Sequence, residues 1–216
     1  MAKYNAVLLD FDGTVADTRP GIFNSIRYAM DAAGLPVPDG ADLDYFLGPP
    51  LGASFSHVFG ADEETADRLT DLYRVYYKEK GIFECSLYDG IPELLDGLHA
   101  AGIRTAVVSS KPAKFLNMLV PHFGLELRFD AVIGPDLSNK RADKTWLVQE
   151  ALRTLGLPCD KSAVMVGDRL FDMEGAVHAG VTAVGALYGY GTAEELTEAG
   201  AERLITTPSE LKILLT

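Results

Sequence analysis

Two aspartates at the end of an apolar run are the first residues in this chain whose type and spacing suggest chemistry. The run Ala6-Val7-Leu8-Leu9 leads into Asp10-Phe11-Asp12-Gly13-Thr14. Carboxylates two residues apart, leaving a strand together, can act as a nucleophile, as an acid and base, or as ligands for a hard cation. A polar turn around Asp12-Gly13 is the plainer alternative. A second acidic pair stands in Gly167-Asp168-Arg169-Leu170-Phe171-Asp172. If a helix begins at Asp168, the two carboxylates share a face at i, i+4 and repel each other unless a divalent cation lies between them. Helix capping by Asp168 is the plainer reading there. Between the pairs lie Ser109-Ser110-Lys111-Pro112 and Arg141-Ala142-Asp143-Lys144-Thr145. A hydroxyl and backbone amides at a strand end can hold phosphate oxygens, and a fixed ammonium can neutralise them. Each of these two signals is weak alone, because serine-rich turns abound and a lone lysine is ordinarily solvated.

Five short runs must position these groups: Ala6 to Leu9, Thr105 to Val108, Ala131 to Ile133, Ala163 to Val166 and Thr182 to Ala186. All are apolar without polar alternation, the pattern of a parallel sheet covered on both faces. Helical stripes separate them. Ile91, Leu94, Leu95 and Leu98 form one, with Pro92 near its start and Gly102 past its end. Leu147, Val148, Ala151, Leu152 and Leu155 form another, closed by Gly156. The order predicts an open, Rossmann-like α/β sheet with right-handed crossovers. In such sheets ligands bind at the carboxyl ends of the strands, where every group named above would fall.

The interval between the first two strands is far longer than a crossover needs. Ile22, Phe23, Ile26, Ala29, Met30 and Ala33 line one helical face that ends at Gly34, and a second helix is expected over Glu63 to Lys80. Residues 16–83 are therefore read as an inserted α-helical cap domain, and 1–15 with 84–216 as the catalytic core. The sequence shows no internal repeat and no low-complexity tract.

The 216 residues carry a formal net charge of −12. Such a chain is repelled by phosphate backbones, which excludes nucleic-acid polymers and anionic membranes as partners. An anionic substrate then needs a local device to capture it, and a metal ion is the obvious one. Cys85 and Cys159 make no Cys-x-x-Cys pair, and His57, His99, His122 and His178 show no ligand spacing. Zinc and a disulfide framework are not expected, and a reducing cytoplasm suits the chain. No signal peptide or membrane span is expected either.

Taken in order, the four polar segments resemble those of the haloacid dehalogenase superfamily, and the resemblance covers essentially the whole chain. Asp10 and Asp12 are similar to its first motif, Ser109 to its second, Lys144 to its third, and Asp168 with Asp172 to its fourth. The resemblance implies a magnesium-dependent phosphohydrolase acting on small-molecule phosphate monoesters. Asp10 would attack phosphorus and become an aspartyl phosphate, while Asp12 would protonate the leaving oxygen and later activate water. Ser109 and Lys144 would hold the phosphoryl group, with Ser110, Gly13 and Thr14 beside them. Magnesium would be held by Asp10, the Asp12 carbonyl and Asp168, with Asp172 nearby. If Lys144 were not the cation, Lys140 or Lys111 would be the next candidates.

The position of the insert, together with Phe46-Leu47-Gly48-Pro49-Pro50-Leu51, Tyr77-Lys78-Glu79-Lys80-Gly81 and Leu187-Tyr188-Gly189-Tyr190-Gly191-Thr192, resembles the phosphoglycolate phosphatase or 5′-nucleotidase-like branch. Arg169, where phosphoglycolate phosphatases often carry a small residue, tilts the reading toward the nucleotidase-like group. A sugar-phosphate mutase of the same superfamily is the alternative, since it shares the core. A carbon–phosphorus hydrolase would need a Schiff-base lysine, and the insert offers only Lys78 and Lys80. A dehalogenase needs neither metal nor Asp12, and a catalytically silent phosphoprotein-binding module would not need the full set of motifs. Gly189-Tyr190-Gly191-Thr192-Ala193-Glu194 begins like a dinucleotide fingerprint, but Glu194 and Glu195 would repel a pyrophosphate.

Overall fold

A computed structural model describes residues 4–136 and 143–215. The chain divides into two compact units, Met1–Asp17 with Leu87–Thr216, and Thr18–Ser86. The first holds a six-stranded sheet made from β1 (Ala6–Leu9), β4 (Arg104–Val108), β5 (Ala131–Ile133), β6 (Ala163–Gly167), β7 (Thr182–Ala186) and β8 (Arg203–Ile205). Its order is β5-β4-β1-β6-β7-β8, and every pairing is parallel. β1 lies centrally, with Leu9 level with Val107 on one side and Val166 on the other. All four of its residues are fully buried, which is why the run carries no polar alternation.

Helices α4 (Ile91–Ala100), α5 (Ala113–His122), α6 (Lys144–Leu155), α7 (Leu170–Ala179), α8 (Ala193–Glu198) and α9 (Pro208–Leu215) connect these strands or follow the last. Ala6 and Leu8 of β1 pack with Leu147, Val148, Ala151 and Leu152 of α6 and with Met173 and Ala176 of α7. Val7 and Leu9 alternate to the opposite face. α6 starts under a side-chain cap, the Asp143 carboxylate accepting from Trp146 N–H at 2.8 Å, and ends at Gly156 with φ 71°.

The sheet differs from the sequence expectation at its ends. β8 is a three-residue edge strand that opens on the exposed Arg203, which breaks an apolar-run criterion. α5 follows Pro112 and holds Pro121 in its last turn. A proline there removes one N–H late in the helix, and the pair of prolines masks the helical pattern between them.

The second unit is helical. It contains α1 (Arg19–Ala32), α2 (Leu51–Phe59) and α3 (Glu63–Glu79). Of the stripe read over Ile22 to Ala33, Ile22, Ile26, Ala29 and Met30 lie on the buried face of α1, while Phe23 is half-buried and Ala33 is the C-cap beyond the helix. α3 is capped by Asp62, whose carboxylate accepts from Thr65 N–H at 2.9 Å. α2 was not expected from the sequence. It begins after Pro49-Pro50 and carries Phe55, which packs with Phe46 and Phe59. The two-residue strands β2 (Ala16–Asp17) and β3 (Ser86–Leu87) pair with each other where the chain passes from one unit to the other.

Candidate active site

β1 marks the point where strand order reverses: the chain continues toward β4 and β5 on one side and toward β6, β7 and β8 on the other. Open α/β sheets leave a crevice at this point, beyond the carboxyl ends of the strands. Asp10 follows β1, Ser109 follows β4, Asp168 follows β6, and Lys144 opens α6. Short strands in close register bring them to one edge; Asp10 N–H, for example, donates to Val166 O at 2.9 Å.

Asp10, Asp168 and Asp172 each offer a carboxylate oxygen within 4.8 Å of the others. All three are buried. The Lys144 ammonium is paired with two of them, 2.7 Å from Asp10 Oδ1 and 2.6 Å from Asp172 Oδ1, and it also donates to Val108 O at 2.9 Å. Lys144 is therefore a buried cation and not the solvent-edge lysine its local sequence suggests. Gly175 makes the room, because a Cβ there would lie 2.7 Å from Lys144 Cγ.

Asp168 is held by two donors. The Thr14 hydroxyl donates to Oδ1 at 3.0 Å and Tyr190 N–H to Oδ2 at 2.9 Å. Asp172 Oδ2 accepts from Arg169 N–H at 3.1 Å. α7 begins at Leu170 with Arg169 as its N-cap, so Asp168 precedes the helix. The two carboxylates meet through the turn between β6 and α7, not through i, i+4 spacing on one helical face, and Asp168 is not the cap.

The electrostatics follow from this crowding. Burial lifts the Asp10 carboxyl to about 6; Lys144 opposes the rise, while Asp172 and Asp12 add to it. Burial, then Asp172 and Asp10, push Asp168 well above the usual carboxylate range, against the pull of Tyr190 N–H and the Thr14 hydroxyl. Burial works against the Lys144 charge, but Asp10 and Asp172 outweigh it and raise the ammonium above the ordinary lysine range. Three clustered buried carboxylates, only two of them paired with the one ammonium, gather acidic oxygens in excess of the cation. Oxygen donors of that kind suit a small hard cation such as magnesium.

Asp12 is placed differently. Its carboxyl is not one of the three clustered carboxylates; its two oxygens lie 2.8 and 2.9 Å from Lys111 Nζ. Ser109 is buried at the end of β4, and its Oγ accepts from Lys111 N–H at 3.2 Å. Ser110 beside it is exposed. Gly13, at φ 78°, turns the chain after Asp12 and carries it into Thr14, whose side chain is fully buried. Lys140 lies outside the described residues.

Three contributions were missed in the sequence. The sequence offers Lys111 only as a fallback cation. In the sequence Tyr188 and Tyr190 bear only on the resemblance to the phosphoglycolate phosphatase or 5′-nucleotidase-like branch, yet the Tyr188 hydroxyl donates to Thr14 O at 3.1 Å and the Tyr190 hydroxyl to Asp17 Oδ1 at 3.1 Å. The glycines of the false dinucleotide fingerprint have a different task. A Cβ at Gly189 would stand 2.3 Å from both Asp168 Cβ and Gly13 O, and one at Gly191 would stand 2.1 Å from Asp168 O. The loop lies so close to Asp168 that no side chain fits. His57, by contrast, stacks on Tyr45 at 4.0 Å, and His178 is exposed.

Known proteins resemble this chain over most of its length. The model of the haloacid dehalogenase-like hydrolase family matches residues 7–186. A 5′-nucleotidase of Pseudomonas aeruginosa is 37% identical over 90% of this chain and 87% of its own. A tyrosine-protein kinase, PtkA of Mycobacterium tuberculosis, is 36% identical over 87% of this chain and 64% of its own length. A phosphoglycolate phosphatase of Colwellia psychrerythraea is 26% identical over 100% of this chain and 98% of its own. The crystal structure of a predicted phosphatase from Clostridium acetobutylicum superposes with a TM-score of 0.87 at 39% identity, over 98% of this chain and 97% of that one. The chain belongs to the haloacid dehalogenase-like hydrolases. Within that family it is an enzyme of the phosphatase class.

Proposed function

We propose that the chain hydrolyses phosphate monoesters of small metabolites in two steps with magnesium. A nucleoside 5′-monophosphate is the first candidate substrate and phosphoglycolate the second. The observation that carries the reading is the clustering of the Asp10, Asp168 and Asp172 carboxylates at one sheet edge, with the Lys144 ammonium paired to Asp10 and Asp172. Phosphoryl transfer asks mainly for positioning and charge neutralisation, and this arrangement provides both. The ranking of substrates draws on the Pseudomonas relative and its name.

In the first step an Asp10 oxygen forms a bond to phosphorus, the bond to the ester oxygen breaks, and Asp12 gives that oxygen a proton. In the second, Asp12 takes a proton from water, the water oxygen attacks phosphorus, and Asp10 leaves as a carboxylate. Ser109 and Ser110, the Gly13–Thr14 turn and Lys144 hold the phosphoryl oxygens. A magnesium ion held by Asp10, Asp168, Asp172 and the Asp12 carbonyl would supply the charge that lets a carboxylate approach a phosphate dianion. The helical unit acts as the cap that selects the ester, and the enzyme works in the cytoplasm.

The test is orthophosphate release from a panel of phosphorylated metabolites and an aryl phosphate, with magnesium and with excess chelator. Release is expected only with magnesium. Asp10→Asn is expected to abolish turnover and acid-stable phosphoenzyme. Asp12→Asn is expected to slow both steps, by about 10²- to 10⁴-fold for the loss of a general acid–base group. Normal turnover of Asp10→Asn would exclude covalent catalysis by this residue. Transfer of the phosphoryl group to a second sugar in place of water would favour the mutase.

A further inference from the structure

Lys111 is a second buried ammonium of the catalytic unit, and the mechanism above gives it no task. Its side chain is 6% exposed, and its Nζ is within hydrogen-bond distance of both carboxylate oxygens of Asp12, at 2.8 and 2.9 Å. Lysine is costly to bury without an opposite charge. A flexible four-carbon stem also loses rotamer freedom when its head is fixed. Such a pair is informative where the base of the stem is itself anchored, and here it is. Lys111 N–H donates to Ser109 Oγ at 3.2 Å, and Ala113 N–H donates to Pro135 O at 3.0 Å. Pro112 restricts the Lys111 backbone to extended conformations. Gly134 lies against the turn so closely that a Cβ there would stand 2.5 Å from Lys111 O and 3.0 Å from Ala113 N. The ends of β4 and β5 thus grip the turn that presents the ammonium.

Asp12 has less support of its own. It sits outside the sheet strands, in a turn joined by a single bridge to Ala16, and its carboxyl is 26% exposed. The two aspartates of Asp10-Phe11-Asp12 are therefore served by separate lysines. Lys144 is bonded to Asp10, which is fixed at the end of β1, and Lys111 is bonded to Asp12, which is not fixed by a strand.

We propose that Lys111 is the positioning residue for Asp12: it sets where the Asp12 carboxyl stands relative to the leaving oxygen and the attacking water. The inference rests on the two-step hydrolysis proposed above, in which Asp12 serves as acid and base. Lys111 acts through Asp12, so its contribution disappears when Asp12 can no longer do either.

The experiment compares the parent, Lys111→Met, Lys111→Arg, Asp12→Asn and the two double variants, on an aryl phosphate with saturating magnesium. Thermal unfolding of each protein is recorded alongside. Methionine keeps the length of the stem without its charge. Lys111→Met is expected to lower kcat by about 10- to 100-fold with KM changed less than about two-fold, the scale of misplacing a catalytic group by an ångström. Lys111→Arg is expected to fall between parent and Lys111→Met. In the Asp12→Asn background, either Lys111 substitution should change kcat by less than about two-fold, the non-additivity of residues acting as a unit. If Lys111→Met fails to fold, Lys111→Arg alone and in the Asp12→Asn background carries the same comparison. Additive losses, an unchanged kcat, or a raised KM with kcat intact would each overturn the inference. A parent that releases no orthophosphate would overturn the hydrolase reading and this inference with it, an outcome distinct from an active parent with additive losses.

Discussion

At the scale of single residues, the site is a problem of charge among buried side chains. Lys144 is enclosed by Asp10, Asp172 and the Val108 carbonyl, so its removal has two effects that can be separated. Turnover should fall by roughly 10²-fold or more in Lys144→Ala, the scale of losing one preorganised donor. Lys144→Arg should recover only part, because a wide planar fork replaces a compact ammonium. Stability should fall as well, by about 3–5 kcal/mol, since carboxylates buried with a partner are left without it. A reading of Lys144 as a surface residue would predict no stability loss at all. Chemical denaturation of the chelated protein, parent against Lys144→Ala, decides between them. An unchanged midpoint would mean that the buried ion pairs do not exist in solution.

At the scale of elements, loops between strands and helices hold the reactive groups, and close backbone approach limits them. The turn through Gly189 and Gly191 lies on Asp168, and Tyr190 N–H donates to the same carboxylate. Gly189→Ala introduces a Cβ where Asp168 Cβ and Gly13 O stand 2.3 Å away. Backbone and a short side chain cannot yield as a flexible side chain would, so the loop must move off the site. The expected result is a protein that folds but loses turnover and gains less thermal stability from added magnesium than the parent. Equal stabilisation of both by magnesium would show that the loop does not support the Asp168 carboxylate.

In the helical unit the corresponding element is the entry to α2, where Gly48 has φ 133° and Pro50 is the N-cap. Two prolines stiffen that entry. Leu51→Ala is expected to alter the ranking among phosphoglycolate, nucleoside monophosphates and sugar phosphates, with magnesium affinity unchanged. Uniform losses with a changed metal requirement would assign the loop a supporting part.

For the whole molecule, the cost of gathering like charges appears in the pH dependence of folding. Burial holds the folded Asp10 carboxyl at about 6, against 3.8 as its ordinary value. Between these values the folded chain binds a proton that the unfolded chain has released, so stability falls as pH rises. The contribution is fully present below the unfolded value and is lost as pH passes through about 6. Exposed carboxylates such as Asp96 and Asp160, drawn below their ordinary range by hydrogen bonds from Arg128 and Ser162, act in the opposite sense. The two can be separated by difference. In excess chelator, the thermal midpoint of the parent should decline relative to that of Asp10→Asn as pH is raised from 5 to 7. Parallel curves would contradict the burial of Asp10.

The amino-acid order alone determined five of the six strands of the sheet. Short apolar runs without alternation suit strands covered on both faces, as β1 and β7 are, and β5, a half-buried edge strand, stands on such a run as well. It also placed Asp10, Ser109, Lys144, Asp168 and Asp172 at strand ends or a helix start, because parallel strands bring all their carboxyl ends to one edge. Tertiary structure decided what each group touches there. Lys144 looks like a surface lysine because burial depends on what α7 and β4 bring to it, and neither is near in sequence. Lys111 and Lys144 are equivalent as residue types; the turn after β4, packed on Gly134, presents one to Asp12, and the start of α6, packed on Gly175, presents the other to Asp10. The Tyr188–Gly191 turn reads as a poor dinucleotide loop because its glycines answer to Asp168, 21 or more residues earlier. Hydrophobic periodicity is a local signal, legible from the chain. The pairing of charges across a sheet edge is not, since the partners are separated by 99 residues in one pair and 134 in the other.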